Sequence, residues 1–170
     1  MRTRTTLCLM MLGTAALAMP AIGMTPGTLY IWNASDSVPV GLYQLQPIGE
    51  LSVTDLVAVH APEPLATLLA DGGYLPRGVP MLKRVLALPG QTVCRNASTI
   101  TVDDVAVGEA RHSDRRGRPL PVWRGCRVVA DDELFLMNWQ SANSFDGRYF
   151  GLTPRAAVIA RAQPVWTEEH

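Results

Sequence analysis

The chain has 170 residues, and its 15 lysines and arginines are balanced by 15 aspartates and glutamates, so the formal net charge is zero. That length suits one domain with a real core. The cations form no single basic face, which excludes nucleic acid as a partner, and abundant Gly and Pro among short Val/Leu/Ile runs favour a mainly β fold.

Arg2 and Arg4 precede an uncharged stretch from Thr5 to Met24. A basic flank followed by an apolar run marks residues 1–24 as a signal peptide or a membrane anchor. At about 20 residues the run is just long enough to span a bilayer. Small residues at Ala16/Ala18 and Ala21/Gly23 offer cleavage sites. The basic flank stays cytoplasmic, so residues 25–170, read as one domain, are exported. Cys8 lies in the apolar run, which leaves Cys94 and Cys126. In an oxidising compartment this pair suits a disulfide, with two separate buried thiols as the alternative. Cysteines and histidines show no metal spacing, and no cofactor is implied.

Next comes Asn33 to Tyr43 (NASDSVPVGLY), with two hydroxyls, Ser35 and Ser37, two residues apart. Locally it reads as a surface turn. Asp55–His60 reads as a strand, and Glu63–Asp71 has helical spacing ended by Gly72-Gly73. Met81–Leu88 is a strand followed by a Pro-Gly turn. Gln91–Arg95, Ser98–Val102 and Val105–Val107 read as hairpin strands, with Asp103-Asp104 as a turn. Arg111–Pro121 is a basic loop whose cations suit a solvated tip better than a binding patch. Cys126–Val129, Glu133–Met137 and Ala156–Trp166 complete the strands.

Lys83 stands out within its apolar strand, because lysine is rarely buried unless it is paired or functional. Alternation allows it to point outward while Leu82 points in; Arg84 lies on the face opposite Lys83. If Lys83 is instead desolvated beside Ser37, burial lowers its pKa and supplies a neutral amine. Such an amine takes a serine proton, as an imidazole does in the commoner triad. His60, His112 and His170 lack signature partners, so a Ser/His/Asp site ranks lower. In Asn143–Gly151 (NSFDGRYFG), Asp146 and Arg148 suit a surface ion pair, or Ser144 and Asp146 orient the lysine amine by hydrogen bonds.

Ser37-Val-Pro-Val-Gly-Leu-Tyr43, Lys83-Arg-Val85 with Leu88-Pro-Gly90, and Ser144-Phe-Asp-Gly-Arg-Tyr-Phe-Gly151 occur in this order. The set resembles the type I signal peptidase family, in particular its conjugative-transfer (TraF-type) branch that matures pilin precursors. Gly117-Arg-Pro-Leu-Pro121 also looks like a feature of that branch. The resemblance implies a β-barrel-like catalytic domain with one short helix, its active-site face at the membrane. It implies Ser37 as nucleophile, Lys83 as general base and Ser35 as oxyanion-hole donor beside the Ser37 N–H. Ser144 would hold the amine, with Asp146 and Arg148 buttressing the site. The substrate would be a pilin precursor or another exported preprotein, met at the periplasmic face of the inner membrane among the conjugative transfer machinery. Two departures stand out. Val38 replaces a methionine, a change expected to bear on substrate or membrane contacts, and Gly147 replaces a serine, which bears on the Asp146 loop. Asp36 has no assigned role. A catalytically silent exported β-domain of a pilus or secretion apparatus is the alternative. A self-cleaving repressor shares the chemistry but would carry a DNA-binding domain in place of the export segment.

Overall fold

The computed structural model describes residues 29–168; the expected signal or anchor at 1–24 lies outside them. Among the described residues no helix is long and apolar enough to cross a membrane.

The described chain is mainly β. β1 (Leu29–Asn33) and β2 (Gly41–Gln46) form an antiparallel hairpin closed at the Asn33/Gly41 pair. β3 (Leu56–Val59) is followed by α1 (Leu65–Asp71) and β4 (Met81–Ala87). β5 (Thr92–Asn96), β6 (Thr99–Val102), β7 (Val105–Glu109) and β8 (Gly125–Val128) make a second, four-stranded sheet. β9 (Glu133–Leu136), α2 (Gly147–Phe150), β10 (Leu152–Pro154) and β11 (Val158–Thr167) return to the first sheet. Its strand order is β1-β2-β11-β3-β4-β9-β10. The long last strand is thus inserted between β2 and β3, which brings the N-terminal hairpin against the rest of the sheet.

Local chemistry accounts for the boundaries. Asp103 and Asp104 both have positive φ, as the two-residue β6–β7 turn requires. The helix expected from Glu63 begins at Leu65, because a residue before proline is pushed out of the helical region and Glu63 precedes Pro64. The spacing suggested one helix; α2 is a second, of a single turn. Its start is capped by Asp146, whose carboxylate accepts from the Arg148 N–H. One turn is too short to show a period in the sequence.

The core lies on both faces of β4. Val57, Val59, Met81, Val85, Leu134 and Leu136 pack on one side with Leu69 of α1. Leu56, Ala58, Leu82 and Ala160 pack on the other, where Val38 and Tyr43 join them from the N-terminal hairpin. Lys83 shares the strand parity of Met81 and Val85, so it enters the first core. It is 4% exposed, as is Leu82 on the opposite face. The outward-pointing alternative for Lys83 is therefore overturned, since alternation separates the two residues but the fold covers both faces. Arg84 is half-buried; it donates to the Thr54 carbonyl and lies over Trp139.

In the second sheet Cys94 faces Cys126 across β5 and β8, and their sulfurs are bonded. The basic loop 111–121 is ordered and closed by a bridge between Ser113 and Pro119.

Candidate active site

The β1–β2 connection carries both hydroxyls, and Asn33 organises it. The Asn33 Nδ2 donates to the carbonyls of Ser35, Val38 and Pro39 at 2.8, 2.9 and 3.1 Å. Its Oδ1 accepts from the Ser35 N–H and from Ser35 Oγ at 3.2 and 2.8 Å. Buried amide groups persist when all their capacity is used, and here one side chain holds the whole turn. The Tyr43 hydroxyl adds a 2.6 Å bond to the Pro39 carbonyl. Val38 is buried among Tyr43, Leu56 and Leu82. Its expected role in substrate or membrane contacts is corrected: the side chain anchors the turn in the core. Gly41 has φ +155°, and a Cβ there would lie 2.1 Å from the Trp166 carbonyl oxygen. Only glycine admits that approach of β11.

This leaves Ser35 exposed and Ser37 half-buried, with their Oγ atoms 2.8 Å apart. Because Ser35 donates to Asn33, the Ser37 hydroxyl donates to Ser35.

Lys83 approaches from β4. Its Nζ donates to Ser144 Oγ at 3.0 Å. Burial lowers its pKa from 10.5 to about 8; the charge of Asp146 opposes the shift and that of Arg148 assists it. A pKa near 8 leaves about one molecule in five neutral at pH 7.4, against about one in a thousand for a free lysine.

The segment after β9 supports the amine. Asp146 and Arg148 are 0% and 3% exposed at their side chains and form a 2.9 Å ion pair, so the surface-pair alternative is overturned. Arg148 also donates to the carbonyls of Ser141 and Ser144, fixing the segment that carries Ser144. Among the expected pair only Ser144 bonds the amine. Asp146 accepts instead from Arg148 and from the Asn138 N–H, and so acts at one remove.

Asn138 and Asn33 are the residues that sequence reasoning missed. The Asn138 amide donates to the Leu82 carbonyl and accepts from the Arg84 N–H, clamping β4 on either side of Lys83. Nδ2 also lies 3.4 Å from Ser144 Oγ. A polar residue ending an apolar strand was the only sequence signal for Asn138. For Asn33 it was an Asn placed to bond backbone two residues on.

Gly147 also has a structural cause. A Cβ there would lie 2.6 Å from Phe135 Cε2 and 2.7 Å from the Leu136 carbonyl oxygen, so a serine at this position has no room.

Ser35, Ser37, Lys83 and Ser144 line one cleft of about 500 Å³. Its walls include Ile31 and Trp32 of β1 and Leu69 of α1. A weakly basic amine, a hydroxyl pair on a rigid turn and an apolar trough thus share one space. The family model described as "Signal peptidase, peptidase S26" matches residues 2–167. The chain belongs to the S26 signal peptidase family. A "Probable conjugal transfer protein TraF" from Sinorhizobium fredii is 33% identical, over 93% of this chain and 89% of the relative. An Escherichia coli "Plasmid transfer protein TraF" is 30% identical over 91% of each. A "Probable signal peptidase I-1" from Synechocystis is 34% identical over 65% of this chain and 52% of its own length. The crystal structure of a signal peptidase I from Enterococcus faecalis is 20% identical, with a TM-score of 0.41, covering 67% of this chain and 97% of that one. As a signal peptidase family member the chain is a peptidase; within the cleft Ser37 bonds Ser35 and Lys83 bonds Ser144, with no hydrogen bond between Ser37 and Lys83.

Proposed function

We propose that the chain is a Ser/Lys endopeptidase that matures exported precursors, with a conjugative pilin precursor as substrate. The observation that carries this is the buried Lys83 amine, with its pKa near 8, in the same cleft as Ser37. Ser37 turns about χ1 from Ser35 toward Lys83, whose neutral amine takes the hydroxyl proton as Oγ attacks the scissile carbonyl. The Ser37 N–H and the Ser35 hydroxyl, its proton turned from Asn33 Oδ1, donate to the developing oxyanion; one such donor supplies about 3–4 kcal/mol. The lysine ammonium then protonates the leaving amine. Water, or an amino group of the substrate itself, releases the acyl group from Ser37. Ser144 keeps the amine aimed at the cleft, and Asp146 and Arg148 hold Ser144 in place.

An extended precursor suits the cleft, and small residues before the scissile bond suit the confined approach to Ser37. Trp32 of β1 and Trp166 of β11 are exposed and stacked at 5.9 Å. With exposed Leu29, Tyr30 and Val165 they form an apolar rim that suits a membrane surface. This supports action at the periplasmic face of the inner membrane, and the TraF names of the relatives support a place in conjugation.

The test is processing of a candidate pilin precursor by the full chain, with Ser37→Ala and Lys83→Ala beside it. Each substitution should lower the rate by at least about a thousandfold. The wild-type kcat/KM should rise with pH through about 8. Equal processing by all three proteins, or a rate that begins to rise only near pH 10, sinks the assignment.

A further inference from the structure

The catalytic cleft has a side chamber that the proposed chemistry leaves unused. It is a half-open concavity of about 250 Å³ and shares Asp36, Tyr74, Asn143, Ser144 and Phe145 with the cleft. Four arginines line it, Arg111, Arg115, Arg116 and Arg118, against two carboxylates, Asp36 and Asp114. Arg111, Arg115 and Arg116 are exposed, as a solvated loop tip requires; the fold also gathers them around a concavity beside the cleft.

Asp114 is spent on building the loop. It accepts from the backbone N–H groups of Arg116 and Arg118, from Arg118 Nε and from the Tyr74 hydroxyl. Arg118 lies over the Tyr74 ring and donates to the Gly72 carbonyl. With Arg118 neutralising Asp114, three guanidinium groups remain on an ordered scaffold. Arg111 is held by Asn143 Oδ1 at 2.8 Å. Arg116 reaches to the side of Gly73 and has no ion-pair partner among the described residues. Arg115 bonds Asp36 at 2.5 Å, with both side chains more than half exposed. An exposed pair of this kind is weak, so an incoming carboxylate displaces Asp36 at little cost.

We propose that this chamber is a specificity subsite for a substrate carboxylate close to the scissile bond, and that Asp36 occupies Arg115 until the substrate arrives. The carboxylate comes from an acidic side chain or from a free C-terminus of the precursor. This deepens the peptidase reading and rests on it. The chamber is concave, has aromatic walls and opens into the catalytic cleft, features that suit a peptide carboxylate better than a flat anionic membrane. Asp36, placed between Ser35 and Ser37, then acquires a function: its release from Arg115 accompanies occupation of the subsite beside the nucleophile.

Binding tests this apart from turnover. Labelled precursor peptides are titrated by anisotropy into full-length Ser37→Ala protein. The peptides carry Glu or Gln at each position around the cleavage site, with free or amidated C-termini. One acidic peptide should bind about 3- to 10-fold more tightly than its neutral counterpart, with the preference shrinking at high salt. The Gln and amide arms tell which carboxylate is read. Arg115→Ala with Arg116→Ala should bring the ratio toward one, whereas Arg127→Ala, on the second sheet, should leave it unchanged. Equal affinity for all acidic and neutral peptides overturns the subsite, as does a preference that survives loss of both arginines. An arginine effect seen only with anionic vesicles, for every peptide alike, overturns it in favour of lipid contact. Retained cleavage by Ser37→Ala would instead sink the Ser/Lys reading and leave the affinity ratio to be judged by itself.

Discussion

Replacing Lys83 by methionine should stabilise the fold while abolishing processing. Lys83 is 4% exposed, and desolvation is the main reason its pKa falls from 10.5 to about 8. That shift corresponds to a penalty of about 3 kcal/mol on the charged form. Methionine has a similar length and no charge, so it removes the penalty. It also removes the bond from Nζ to Ser144 Oγ, a loss of about 1 kcal/mol. The net gain near pH 7 is about 2 kcal/mol, or about 4–8 °C in Tm for a chain of this size. Well below pH 8 both folded and unfolded wild-type chains hold the proton, and the penalty is constant. Between about 8 and 10.4 the unfolded chain binds the proton more strongly, so wild-type stability rises with pH and the gap to the variant closes. Urea unfolding followed by tryptophan fluorescence, at pH values from about 6 to 10.5, reads both effects. A variant less stable than wild type near neutrality, or a gap of constant size across that range, would refute the desolvation of Lys83.

Two further substitutions probe the supports of the site. Gly147→Ser places a Cβ within 2.7 Å of Phe135 and the Leu136 carbonyl and should lower stability by about 1–3 kcal/mol; an unchanged melting temperature would show that α2 has room to spare. Asn138→Ala leaves the Leu82 carbonyl and the Arg84 N–H without their side-chain partner, at about 2–3 kcal/mol. It should also lower kcat more than it raises KM and displace the alkaline rise in rate. A variant with wild-type stability and an unshifted pH profile would exclude the clamp on β4.

Most strands were legible because alternation, apolar runs and Gly/Pro/Asp turns are local properties. Asp55–His60, Met81–Leu88 and the strands around Asp103-Asp104 fall within a residue or two of β3, β4, β6 and β7. β1 and β2 were not legible: Leu29, Tyr30 and Trp32 remain exposed on an edge and show no alternation to a core, and the start of β2 at Gly41 falls inside the Asn33–Tyr43 stretch that reads locally as a turn. The one-turn α2 was missed because four residues show no period, and because what buries its local Asp146–Arg148 pair and seats Gly147 against Phe135 is tertiary.

The sequence by itself determined the chemical inventory: two spaced hydroxyls, a lysine in an apolar strand and an Asp/Arg pair after the last core-facing run. It also determined family membership, since the ordered motifs occur along one chain. It left open whether Lys83 is wet or dry. Strand parity says only that Lys83 and Leu82 point opposite ways, and which face is covered depends on what packs against each side of β4. Tertiary structure decided that both faces are covered, and so depressed the Lys83 pKa. It also decided the use of the polar residues that lacked a local signature. Asn33 and Asn138 became backbone clamps, Asp114 became the organiser of a loop, and the arginines of that loop were brought round to Asp36. Asn33 works through partners within six residues, but Asn138 with Leu82, Asp114 with Tyr74 and Arg115 with Asp36 are far apart in the chain and meet only in the folded protein, which no local pattern encodes.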